Sequence, residues 1–105
     1  MNAVSILIAA LALISAPSKW TKEDVAQNAQ DRPVKPTDER AKRFCMVGAI
    51  QRVATDASAE AYGQAITLLR KACGEQSIFE FNDKHGHKAA LTCMRRAIAA
   101  GEVAA

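Results

Sequence analysis

The sequence predicts an all-α fold: a compact bundle of four main helices with a central, buried helix 2 and one long ordered loop. Three observations carry this reading. Ala is abundant, aromatics make up only 5% of the chain, and Val and Ile are scattered without alternation. Such a composition suits packed helices better than sheets. Apolar positions recur at helical spacing through Ala61, Ala65, Leu68, Leu69, Ala72 and Cys73, joined by Tyr62 and Ile66. Between Arg43 and Gln51, the run Phe44-Cys45-Met46-Val47-Gly48-Ala49-Ile50 contains no polar residue. It makes about two helical turns, so a helix here is apolar on every side and belongs at the centre of a fold.

The first helix is expected over Asn2 to Ser15, with Pro17 stopping it. Its apolar stretch and the following Ser15-Ala16-Pro17 imitate a signal peptide, but no Lys or Arg precedes Ala3 and Pro17 is badly placed for cleavage. The stretch is also short for a membrane span. The reading is a core helix packed onto helices 2 and 4. Ser18 or Thr21 is expected to cap a short helix reaching Gln27, with Glu23 and Asp24 in its first turn. Trp20, the single tryptophan, is expected to anchor this segment on the core.

Asn28 to Asp38 carries Pro33 and Pro36 and no periodicity, and reads as the ordered loop. Thr37 or Asp38 is expected to cap helix 2 over Glu39 to Ala54. Cys45 then lies mid-helix, and Gly48 lets the backbone of another helix approach closely. Asp56 or Ser58 caps helix 3, and Gly74 ends it. Ser77 to Asp83 alternates Ile78, Glu80 and Asn82 against Phe79 and Phe81 as a short strand would, but reads as a helical turn, because a lone strand has no partner. Lys84-His85-Gly86-His87 is a tight connection, and helix 4 runs from about Lys88 to Ala100, with Leu91, Met94, Ala97 and Ile98 inward and Gly101 at its end.

One domain, residues 1–105, accounts for the whole length, and a chain this long builds a core without metal or disulfide staples. The formal charge is +3 and the sequence pI about 8.9, short of the clustered basicity of a dedicated nucleic-acid binder. Cys45, Cys73 and Cys93 make an odd count, which argues against a closed disulfide framework. They read as reduced, buried thiols of a cytoplasmic protein.

The residues that could carry chemistry are few. Asp83 with His85 and His87 allows an acid–base reading. Asn82 and Asp83 fit a structural role better, bonding following backbone amides or pairing with an Arg from a neighbouring helix. The two histidines lack the paired spacing of a zinc site, so neither metal nor cofactor is expected. Cys45, inside an apolar run, lacks the exposed electropositive setting of a nucleophile. Trp20, Cys45, Gly48, Asn82 and Asp83 are therefore read as structural. Basic residues gather at Arg40, Lys42 and Arg43, at Arg70 and Lys71, and at Lys84, Lys88, Arg95 and Arg96. The last four face a single acid, Glu102, through the rest of the chain. They are the candidate partner-binding residues.

Trp20-Thr21, Pro33-Val34, Cys45-Met46-Val47-Gly48-Ala49 and Asn82-Asp83 follow one another in an order that resembles a family of small helical phage and bacterial proteins of unknown function. Phe81 stands where that family has tryptophan, Lys88 where it has a Thr cap, and no glycine precedes Pro33. The resemblance implies a helical fold and a phage or prophage origin, and nothing about chemistry. The expected function is a non-enzymatic, phage-associated protein-binding module of the host cytoplasm, its partner a host protein and its concrete form an inhibitor of a host defence system. The alternative is a small nucleic-acid-binding accessory protein using the basic face of the last helix. The third reading is an enzyme using Asp83 with His85 and His87.

Overall fold

Helix α1 (Ala3–Leu13) starts on a reciprocal cap: the Asn2 side chain accepts from the Ser5 amide while the Ser5 hydroxyl accepts from the Asn2 amide. The computed structural model describes residues 1–74 and 77–104. A 3-10 turn (Pro17–Lys19) follows, then β1 (Ala26–Gln27), β2 (Arg43–Phe44), α2 (Met46–Val53), α3 (Ala59–Ala72) and α4 (Ile78–Ala104). The fold is thus helical, apart from a small antiparallel ladder that pairs Ala26 with Phe44 and Gln27 with Arg43. The radius of gyration is 12.5 Å, close to the ~13 Å of a compact chain of this size.

α1 packs against α2, α3 and α4. Ile6, Leu7, Ala10 and Ile14 are fully buried along it, so the apolar N-terminal segment is core. In α2, Met46, Val47, Gly48, Ala49 and Ile50 are all buried, which sets this short helix at the centre. α3 starts where Ser58 Oγ accepts the Ala61 amide at 3.1 Å and stops at Gly74, whose φ of 75° is the left-handed conformation of a helix-ending glycine.

Several boundaries differ from the sequence reading. The expected helix from Ser18 or Thr21 to Gln27 is absent. The chain there forms the 3-10 turn and β1, with Glu23 at a φ of 74° between them. Helix 2 does not begin at Glu39, and neither Thr37 nor Asp38 caps it. Asp38 Oδ1 instead accepts the Arg40 amide at 2.7 Å, a turn bond that competes with helix initiation. Phe44, at the head of the apolar run, lies in β2. Cys45 is the N-cap of α2, its Sγ accepting the Gly48 amide at 3.3 Å. An apolar run fits a buried strand as well as a buried helix, and here it serves both in succession. The loop is correspondingly longer, extending through Lys42.

Gly48 does receive a close backbone, but from the residue before β1 and not from a helix. A Cβ at Gly48 would stand 1.9 Å from the Val25 carbonyl oxygen. That same oxygen accepts the Cys45 amide at 3.1 Å. The expected connection Lys84 to His87 is a one-residue break at Gly86, with φ 86° and ψ −179° inside α4. Gly101 does not end the last helix. It is buried within it, where a Cβ would come 2.7 Å from Val4 Cγ2 and 3.0 Å from Leu68 Cδ1. This glycine lets α1, α3 and α4 converge, and the helix continues to Ala104.

Candidate functional site

Helix α4 sets out the candidate surface. After the break at Gly86, Ala90, Cys93, Met94 and Ala97 point into the core. The complementary positions Lys88, Thr92, Arg95, Arg96 and Ala99 are exposed. Their spacing places them on one face of a helix. Lys84, before the break, is exposed as well. Among the described residues the ion pairs are Arg40–Asp38 and Arg43–Asp31, so none of the four cations of α4 is neutralised by a neighbour. Arg40 and Arg43, which precede α2, behave otherwise. Arg40 holds both carboxylate oxygens of Asp38, at 3.1 and 3.0 Å, and pulls that carboxyl down to about 2 from an ordinary 3.8. Arg43 also donates to the Asn28 carbonyl at 3.1 Å.

The break in α4 places Asn82 and His87 against the segment after α1. Asn82 is fully buried. Its Oδ1 accepts the Trp20 indole N–H at 2.9 Å and the Met46 amide at 3.1 Å. Its Nδ2 donates to the Thr21 carbonyl at 3.1 Å and to Asp83 Oδ1 at 3.2 Å. All four hydrogen-bonding positions of the amide are used. The Met46 amide is one of the donors that a helix start leaves without an internal partner. One side chain thus joins α4, the Trp20–Thr21 segment and the start of α2. The sequence reading gave Asn82 and Asp83 the following backbone amides or an arginine as partners, and this is corrected: apart from their bond to each other, they bind Trp20, Thr21, Glu23 and Met46, all distant in sequence. No local signal marks such partners, since only the folded chain brings them together.

Asp83 is exposed, and its Oδ1 accepts the Glu23 amide at 2.8 Å. His87 Nε2 lies 2.6 Å from the Ile14 carbonyl at the end of α1, and its ring packs on Trp20 with centroids 5.6 Å apart. His85 turns to Phe81, at 4.5 Å between centroids. The hydrogen bonds of Asp83 and His87 therefore lead to structural partners and not to each other. Among the described residues no three His, Cys, Asp or Glu side chains converge as metal ligands would.

A groove of about 700 Å³ opens between the start of α1, the outer side of α3 and Gly101, and Glu60 is its one titratable side chain. A shallower depression of about 570 Å³ lies beside Glu23, Asp24 and Lys35, with Asp24 accepting from Gln27 Nε2 at 2.8 Å. The three cysteines are free and buried. Burial pushes the Cys45 thiol up, which removes the thiolate that nucleophilic chemistry requires. No helix among the described residues is long and apolar enough to cross a membrane.

No curated protein and no solved structure matches the chain. A family model does, over residues 1–100, and the chain therefore belongs to the family of unknown function DUF6197.

Proposed function

We propose that this protein is a non-enzymatic protein-binding module and that it docks through the exposed face of α4. The observation that carries the reading is the row Lys88, Arg95 and Arg96, exposed and without ion-pair partners among the described residues. Thr92 and Ala99 lie on the same face. They provide the small, uncharged centre that interface cores favour over charge. The complementary partner is an acidic protein surface, which such a row steers into register. The engaged states of Asp83 and His87 support a binding role over the acid–base reading. A phage or prophage origin, implied by the motif order, makes the partner a host protein and inhibition of a host defence system the concrete role. Three free thiols suit the cytoplasm.

The test is capture from a bacterial lysate on the immobilised chain, with and without nuclease, beside an Arg95→Glu/Arg96→Glu variant. A specific protein should be retained after nuclease treatment and lost by the double reversal. A gel shift at two salt concentrations supplies the second readout. A tight, salt-sensitive shift, lost in the double reversal, would replace this reading by nucleic-acid binding.

A further inference from the structure

Where α1 starts beside the outer side of α3, the helices leave a groove of about 700 Å³. Its floor is closed. A Cβ on Gly101 would come 2.7 Å from Val4 Cγ2 and 3.0 Å from Leu68 Cδ1, so α1, α3 and α4 meet beneath it. Its width comes from Gly63, where a Cβ would meet nothing within 4 Å. Glycine weakens a helix interior relative to alanine. Neither crowding nor a left-handed backbone requires one at position 63, and what the missing side chain leaves is open space. The volume falls within the about 300–1,000 Å³ of pockets that take small organic ligands. We propose that this groove binds a small organic monocation with an apolar body, an alkylammonium, its charged end on Glu60 and its chain laid over Ala3, Val4, Gly63 and Leu68.

Charge selects the occupant. The groove is lined by one carboxylate and by no Lys or Arg, in a chain whose formal charge is +3. Glu60 is exposed, and among the described residues neither a basic side chain nor the N-terminal amine forms an ion pair with it. Its Oε1 accepts from Gln64 Nε2 at 3.4 Å, which leaves a carboxylate room for further donors. Asn2, the polar residue of the opposite wall, is committed to the α1 cap, its Oδ1 accepting the Ser5 amide at 2.8 Å. Glu60, Gln64 and Thr67 recur at helical spacing and form a rim about 10 Å long, charged at one end and neutral beyond. A single ammonium therefore finds a partner. A polyamine would leave its second ammonium unpaired over the apolar floor, which is costly. A carboxylate ligand would meet the like charge of Glu60. The exposed row of a second copy brings three cations, Lys88, Arg95 and Arg96, to the same one carboxylate.

The groove is separate from the docking face. It meets α4 at Gly101, which is buried and lies on the side of that helix opposite Thr92. It fills in the same way whether or not a partner sits on the cationic row.

The experiment is an NMR titration of the full-length chain, at neutral pH, with n-hexylammonium chloride, and in parallel with n-hexanol and sodium hexanoate. Expected with hexylammonium are saturable shifts of the Val4, Gly63, Thr67 and Leu68 amides, with hexanol weaker and hexanoate weaker still. Glu60→Gln should weaken hexylammonium about three- to fivefold, the worth of an exposed ion pair, and leave hexanol unchanged. Gly63→Leu, which fills the groove, should abolish binding of both. Three results would each overturn the proposal: hexanol or hexanoate binding as tightly as hexylammonium, shifts that do not saturate or that centre elsewhere, and full affinity retained by Glu60→Gln. Shifts of the same amides with protein concentration alone would overturn it too, by assigning the groove to a second copy. The wild-type ranking and Glu60→Gln decide even if Gly63→Leu fails to fold.

Discussion

Asn82 holds three segments through one amide, so its loss is felt in three places. Asn82→Ala removes the acceptor of the Trp20 indole and of the Met46 amide. Each buried donor left without a partner costs about 1–3 kcal/mol, so the variant should lose about 2–6 kcal/mol in a urea melt; a loss below ~1 kcal/mol would contradict the role. Two glycines make an opposed pair. At Gly48 a Cβ meets the Val25 carbonyl, whereas at Gly63 it meets nothing within 4 Å. Gly48→Ala should cost about 1–3 kcal/mol through overpacking. Gly63→Ala, on an exposed helix, should stabilise by about 0.5–1 kcal/mol. Thermal melts of both variants should move in opposite directions. Asp38 offers a pH test. Its folded carboxyl titrates at about 2 against 3.8 unfolded, so its contribution is present above 3.8 and is lost as pH falls through about 2. An NMR titration should show that midpoint, and Arg40→Ala should return it towards 3.8.

At the scale of elements, α1 decides whether there is a fold at all. It buries Ile6, Leu7, Ala10 and Ile14 completely and touches all three other helices. At about 1.5–3 kcal/mol for each of the large side chains Ile6, Leu7 and Ile14, its removal forfeits an amount comparable to the whole stability of a small domain. Deleting residues 1–16 should therefore give an aggregated or unfolded chain by circular dichroism; a soluble truncated chain with an unchanged melt would contradict the core assignment. α4 shows how one element serves two purposes. Its inward side, with Met94 and Ala97, closes the core, and its outward side carries Lys88, Arg95 and Arg96. The glycine at position 86 separates a first half, which supplies Asn82, from a second half, which supplies the cationic row.

Over the whole molecule, the sequence by itself determined the helical class, the core role of the first segment, the stripe and the Gly74 stop of α3, and the exposure of the cationic positions on α4. These depend on local signals: a helix-ending glycine and a 3.6-residue period are written within a few neighbouring residues, whereas the structure chose Ser58 over Asp56 as the cap. Tertiary structure alone decided that Phe44 is strand and Met46 helix, because the ladder to Ala26 and the Asn82 bond to the Met46 amide come from residues far along the chain. It also decided that Gly101 is a packing glycine and not a terminator, since only the arrival of Val4 and Leu68 distinguishes the two. The Asn82 junction was invisible for the same reason. Hydrogen bonds between distant residues leave no periodic trace in a sequence, and they exist only once burial by the helices has brought their partners within reach.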